Sequence, residues 1–175
     1  MNYKNHVSLR MPKWDYTWAG VYFITTCTKD RCCYFGNVVN GEMNLSNSGA
    51  IADVLWHEIP NHSENVDLGP FIVMPNHIHG ILILKNAKDA VIDYEERKDV
   101  VMKRFQNPGK NSISSIVGGY KAAVTKHLKR MGYKFAWQSG FYDEIIRDVD
   151  AYCNVKRYIE NNPKNWKGDE CKSMM

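Results

Sequence analysis

The stretch His77-Ile78-His79-Gly80-Ile81-Leu82-Ile83-Leu84 is apolar on both sides once the histidines are passed. Side chains alternate across a strand, so Ile81 and Ile83 share a face with His77 and His79, while Ile78, Leu82 and Leu84 take the other. Such a strand is stable only in the interior of a sheet, with an apolar layer packed on each face. Its two imidazoles then stand at the mouth of that strand, where isoleucine would pack with no polar atom to satisfy. Either both rings find hydrogen-bond partners in a core, or they converge on something that needs two nitrogens. The His-x-His spacing alone allows both.

The neighbouring segments specify the rest of the sheet. Gly20–Arg31 (GVYFITTCTKDR) has the β-branched and aromatic content of a strand. A turn-rich stretch with two glycines follows (GNVVNGEMNLS) and suits a small hairpin. A helix then starts from Ser46 or Ser48, with Ile51, Val54, Leu55 and Ile59 as its apolar stripe and Pro60-Asn61 as its stop. Val66–Met74 and His77–Lys85 flank Pro75-Asn76 as an antiparallel pair. Residues 86–111 are charged and aperiodic, as expected of a surface insertion. Ser112 or Ser114 opens a helix through Met131, with Ile116, Val117, Tyr120, Val124 and Leu128 on one side and Lys121, Lys126, Lys129 and Arg130 on the other. A strand within FAWQSGFYDEIIR and a last helix, capped by Asp148 and running to about Asn161, complete the chain. The order predicts an α+β domain: a ferredoxin-like β-α-β-β-α-β antiparallel sheet with an additional C-terminal helix, one domain over residues 1–175.

Several classes are excluded or disfavoured. No G-x-x-x-x-G-K-[ST] loop is present, so a P-loop nucleotide is not expected. No apolar run approaches a membrane span, and the first residues lack the apolar core of a secretory signal, so no membrane partner and a cytoplasmic location are expected. Five cysteines without a C-x-x-C pair read as reduced thiols. The net charge of +4 neither requires nor repels a nucleic acid.

The last helix carries a second chemical feature. Tyr158 and Asn162 lie four apart, one above the other, beside the core stripe Tyr152, Val155 and Ile159. If this helix crosses the sheet near the histidine strand, a phenol and an amide oxygen face the imidazoles. Otherwise Tyr158 is an aromatic at a packing edge and Asn162 a cap before Pro163.

Taken together, VMPNHIHGI, GVYFITTCTKDR, GGYKAAVTK, WQSGFYDEIIRD and YIENNPKNW resemble, in order and spacing, the single-tyrosine HUH transposases, in particular the REP-associated branch. The resemblance covers most of the chain. It implies a metal-dependent nuclease and strand transferase for single-stranded or hairpin DNA in transposition or recombination, with a covalent 5′-phosphotyrosine intermediate. His77, His79 and Asn162 would hold a divalent ion, Mg2+ or Mn2+, and Tyr158 would be the nucleophile. The family often has histidine where this chain has Glu144. Lys121, Lys126, Arg147 and Lys156 are candidates for DNA phosphates, and Trp137 and Phe141 for base stacking. A homodimer is compatible with all of this. The alternative is a hairpin-DNA-binding module derived from a transposase that no longer cuts. A histidine-triad hydrolase would need histidine at 81, where Ile81 stands.

Overall fold

A computed structural model of the protein describes residues 19–85 and 112–167; the expected insertion at 86–111 and the tail from 168 lie outside them. In chain order the elements are β1 (Gly20–Cys27), a 3-10 turn (Lys29–Arg31), β2 (Gly36–Val39), β3 (Glu42–Leu45), α1 (Asn47–His57), α2 (Ile59–His62), β4 (Val66–Met74), β5 (His77–Leu84), α3 (Ile113–Arg130), β6 (Tyr142–Ile146) and α4 (Val149–Asn161). The main sheet has the order β4-β5-β1-β6, with every pairing antiparallel. This is the ferredoxin-like plan with α4 added. The histidine strand β5 is interior, flanked by β1 and β4.

Each face of the sheet has its own core. On one side Ile24, Ile78 and Leu82 pack with Ala52 and Trp56 of α1 and with Ile116, Val117, Tyr120, Val124 and Leu128 of α3. Each such aliphatic side chain, fully buried, contributes about 1.5–3 kcal/mol. The Tyr120 hydroxyl donates to the Ala52 carbonyl at 2.9 Å and ties the two helices together. On the other side Phe23, Ile81, Ile146, Val21, Ile72 and Ile83 meet Tyr152, Val155 and Ile159 of α4.

Local chemistry sets the boundaries. Ser46, Ser112 and Asp148 cap α1, α3 and α4 by accepting from the backbone N–H groups of Gly49, Ser115 and Ala151. Asn40 and Gly41, at φ 53° and 78°, turn β2 into β3 as a tight hairpin requires.

Four expectations need correction. Pro60 does not stop a helix; it sits in the first turn of α2, where its missing N–H costs nothing. Val54 is exposed, and Ala52 and Trp56 form the buried stripe of α1 instead. The first strand ends at Cys27, because Asp30 and Arg31 adopt φ of 53° and 56°, outside extended geometry. The cysteines are not all thiols: Cys27, Cys32 and Cys153 are free, but Cys33 is disulfide-bonded. Sequence spacing does not reveal which sulfurs the fold brings within bonding distance.

Candidate metal and tyrosine site

Opposed residues in antiparallel strands share a face. The register places His79 of β5 opposite Thr25 of β1, and Thr25 opposite Tyr142 of β6. The next row on the same face is Ile81, Phe23 and Glu144. The α4 side of the sheet is therefore apolar over most of its length and polar at one end, where His77 and His79 stand with ring centroids 4.5 Å apart.

Both imidazoles are buried, and each has one ring nitrogen anchored from behind. His79 Nδ1 lies 2.8 Å from Thr25 Oγ1. His77 Nδ1 lies 2.8 Å from Asn76 Oδ1. The Phe23 ring stacks on His79 at 5.3 Å and meets Tyr158 edge-on at 6.1 Å. Trp166 lies against His77 at 5.8 Å.

Helix α4 brings the phenol to this pair. Tyr152, Val155 and Ile159 hold the helix on the sheet, and Tyr158, one position before Ile159, borders that stripe. Its hydroxyl lies 3.3 Å from His79 Nε2, a long hydrogen bond, while 51% of the residue remains open to solvent. The phenol thus touches the imidazole yet can be reached from outside. Asn162 is buried as the C-cap of α4, four residues after Tyr158 and four before Trp166 along the chain.

Burial lowers the His79 pKa to about 3, with the neighbouring His77 ring and the Arg31 charge pushing the same way. The ring is therefore neutral at pH 7, with a lone pair to offer. Its ordinary value is 6.5, so between about 6.5 and 3 the unfolded chain binds a proton that the folded chain refuses. Stability present at neutral pH is lost as the pH falls through that window, by at most ~1.4 kcal/mol per pH unit. In metal-free buffer the wild type is expected to lose about 2–3 kcal/mol more than His79→Gln between pH 7 and 4.5. Urea denaturation at the two pH values checks this, and equal losses would contradict it.

The DNA candidates fare differently. Lys121 donates to the carbonyls of Gln138 and Gly140 at 2.8 and 2.6 Å and lies 5.5 Å from the Trp137 ring centroid. That ammonium holds a loop. Trp137 donates to the Lys121 carbonyl at 3.1 Å and packs on Phe35 and Phe135, and Phe141 is half-buried on the same core. Both are partly buried and pack on the core. Lys126, Arg147 and Lys156 are exposed, with Lys156 3.8 Å from Glu160 in an i,i+4 pair. Glu144 lies on the site face, and its carboxylate accepts from the Tyr142 hydroxyl at 3.1 Å.

Sequence reasoning missed Thr25, Asn76, Phe23 and Trp166. The signal for Asn76 was present: a polar residue inside the turn that directly precedes the histidines.

The sheet order and the added C-terminal helix define an α+β fold of ferredoxin-like plan. A structure of a REP-associated tyrosine transposase bound to a REP hairpin superposes with a TM-score of 0.53 at 18% identity, covering 91% of this chain and 75% of the other. No family model matches the chain. An uncharacterized protein of Haemophilus influenzae is 34% identical over 168 residues, spanning 93% of this chain and 91% of its own length. The chain belongs to the family of that Haemophilus protein. Among the described residues no helix is long and apolar enough to cross a membrane.

Proposed function

We propose that the protein is a transposase-like enzyme that cuts and rejoins single-stranded DNA beside a hairpin through a covalent bond to Tyr158. The single observation that carries this is the Tyr158 hydroxyl at 3.3 Å from His79 Nε2, within one chain. The shared fold with a REP-associated transposase that was solved on a REP hairpin supports the choice of DNA.

The donor set fits a divalent ion. His77 and His79 supply two imidazoles on one strand face, each anchored through Nδ1 by a second residue, as metal-binding histidines usually are. Among the described residues no third histidine, cysteine, aspartate or glutamate joins them. Asn162 and substrate oxygens would complete the set, which suits Mg2+ or Mn2+. When bound, the ion would act as a Lewis acid on the phosphate oxygens.

The chain's own groups do the rest. The Tyr158 oxygen, its proton passing to solvent, attacks the phosphorus; the bond to the 3′ oxygen breaks, and that oxygen takes a proton from solvent to leave as a 3′-hydroxyl. The 5′ phosphate stays on the tyrosine, so a different 3′-hydroxyl can reverse the step without nucleotide hydrolysis. Without the ion, His79 Nε2 meets the phenol at 3.3 Å, but the ring is too weak a base to carry its proton away. A ring titrating near 3 stands about seven units below a free phenol, ~10 kcal/mol uphill. Burial and the stacked Phe23 ring keep water from the rear of the site, while the open side of Tyr158 admits the strand. Exposed Lys126, Arg147 and Lys156 are candidates for backbone phosphates.

With a hairpin oligonucleotide carrying single-stranded flanks and Mn2+, the wild type is expected to give a slow-migrating covalent band on a denaturing gel. Chelator should remove it, and His77→Ala should reduce it by roughly 100-fold or more. A band of full intensity from His77→Ala in chelator would overturn the metal reading.

A further inference from the structure

The Asn76 side chain has no exposed surface, although it carries both a donor and an acceptor. Its Oδ1 lies 2.8 Å from His77 Nδ1, and its Nδ2 donates to the Arg31 carbonyl at 3.2 Å. Its own backbone carbonyl accepts from the Thr28 N–H and from Thr28 Oγ1, both at 2.9 Å. The single hydrogen on Thr28 Oγ1 is shared between that carbonyl and the Cys32 carbonyl, 2.7 Å away. The turn over residues 28–32 is therefore stapled to Asn76 from three directions. That turn contains Asp30 and Arg31, two successive non-glycine residues at positive φ, a conformation that persists only where surrounding contacts hold it.

These bonds allow one orientation of the amide. Turned over, Asn76 would set its oxygen against the Arg31 carbonyl oxygen, two acceptors facing each other in a buried place. With the nitrogen committed to Arg31, the oxygen faces the ring, and an oxygen that can only accept requires Nδ1 of His77 to donate. The lone pair of the imidazole is then on Nε2.

We infer that Asn76 is a positioning residue that locks His77 in the Nδ1-protonated tautomer and so commits Nε2 to the ligand of the site. The tautomer follows from the hydrogen bonds alone; the ligand being a divalent ion rests on the function proposed above. The brace also explains why a strained turn sits behind the histidine strand: it supplies the Arg31 carbonyl that fixes the amide. An aspartate at 76 would still accept from Nδ1, at the cost of setting its second oxygen against the Arg31 carbonyl, whereas leucine would leave that N–H without its partner.

The test compares wild type, Asn76→Asp and Asn76→Leu. Long-range 1H–15N spectra of the imidazoles, assigned with His77→Gln, report the tautomer, and calorimetric titration with MnCl2 reports ion binding. Expected are an Nδ1-protonated His77 in wild type and Asn76→Asp, and a mixed or Nε2-protonated ring in Asn76→Leu with Mn2+ bound roughly 10- to 100-fold more weakly. An Nε2-protonated ring in the wild type overturns the inference, as does an unchanged tautomer in Asn76→Leu. Should Asn76→Leu fail to fold, the wild-type spectrum still decides it. A wild type with the expected tautomer that binds no Mn2+ rejects the metal reading instead, so the two failures are told apart.

Discussion

Tyr158→Phe is expected to form no covalent DNA adduct while folding normally and still binding the oligonucleotide. The substitution removes one atom. The ring keeps its edge-on contact with Phe23, and the lost hydroxyl made only a 3.3 Å bond to His79 on a residue half open to solvent. Changes at such sites alter stability by about 0.5 kcal/mol or less. The chemistry loses its nucleophile altogether, which in covalent enzymes costs on the order of 10^4-fold or more. The split between intact binding and absent adduct is the informative result, seen by pairing a native gel shift with a denaturing gel. Full adduct from the phenylalanine variant would make Tyr158 a bystander.

The second large effect lies on the opposite face of β5. Trp56 is fully buried, stacked on Phe71 at 5.6 Å and edge-on to Tyr120 at 5.1 Å. It fits because position 80 is glycine: a Cβ there would collide with the Trp56 ring. Trp56→Ala is expected to cost about 3–5 kcal/mol by leaving a cavity. Gly80→Ala is expected to cost about 1–3 kcal/mol by overpacking. The two costs should not add. With Trp56 already cut back to alanine, Gly80→Ala should cost less than in the wild type, because the new methyl enters the cavity. Urea denaturation of the four proteins measures that coupling, and strict additivity would contradict the packing account. Since Gly80 adjoins His79, the same collision is expected to disturb the histidines.

The interlock between Gly80 and Trp56 also shows where sequence patterns stop being informative. Five apolar residues crowd one stretch of α1 (Ile51, Ala52, Val54, Leu55 and Trp56), and helical periodicity alone fits more than one stripe. A notch in a strand over twenty residues away selects the one containing Trp56 and leaves Val54 in solvent. By contrast, α3 and α4 each offer one stripe, and both helices fall where it predicts, capped by Ser112, one of two candidate serines, and by Asp148.

The candidate site divides in the same way. The period of two in His77-x-His79 and the spacing of four from Tyr158 to Asn162 are local, so the pairing of imidazoles with a helical phenol was legible once the strand order was. Thr25 was not, because its bond to His79 depends on strand register, and Asn76 showed only as a polar residue in the turn before the histidines, its partners being set by the turn at 28–32. The basic and aromatic candidates were least legible. Lys121 and Trp137 look available along the chain, and only the docking of the loop at 137–140 onto α3 shows that they are engaged with it and with each other.

The most direct measurement is the location of the covalent bond. Wild-type protein incubated with Mn2+ and a flanked hairpin, then digested with nuclease and protease, is expected to yield a peptide carrying a 5′-linked nucleotide on Tyr158, readable by tandem mass spectrometry. The same nucleotide on any other residue, such as Tyr152 on the core stripe of the same helix, would contradict the account.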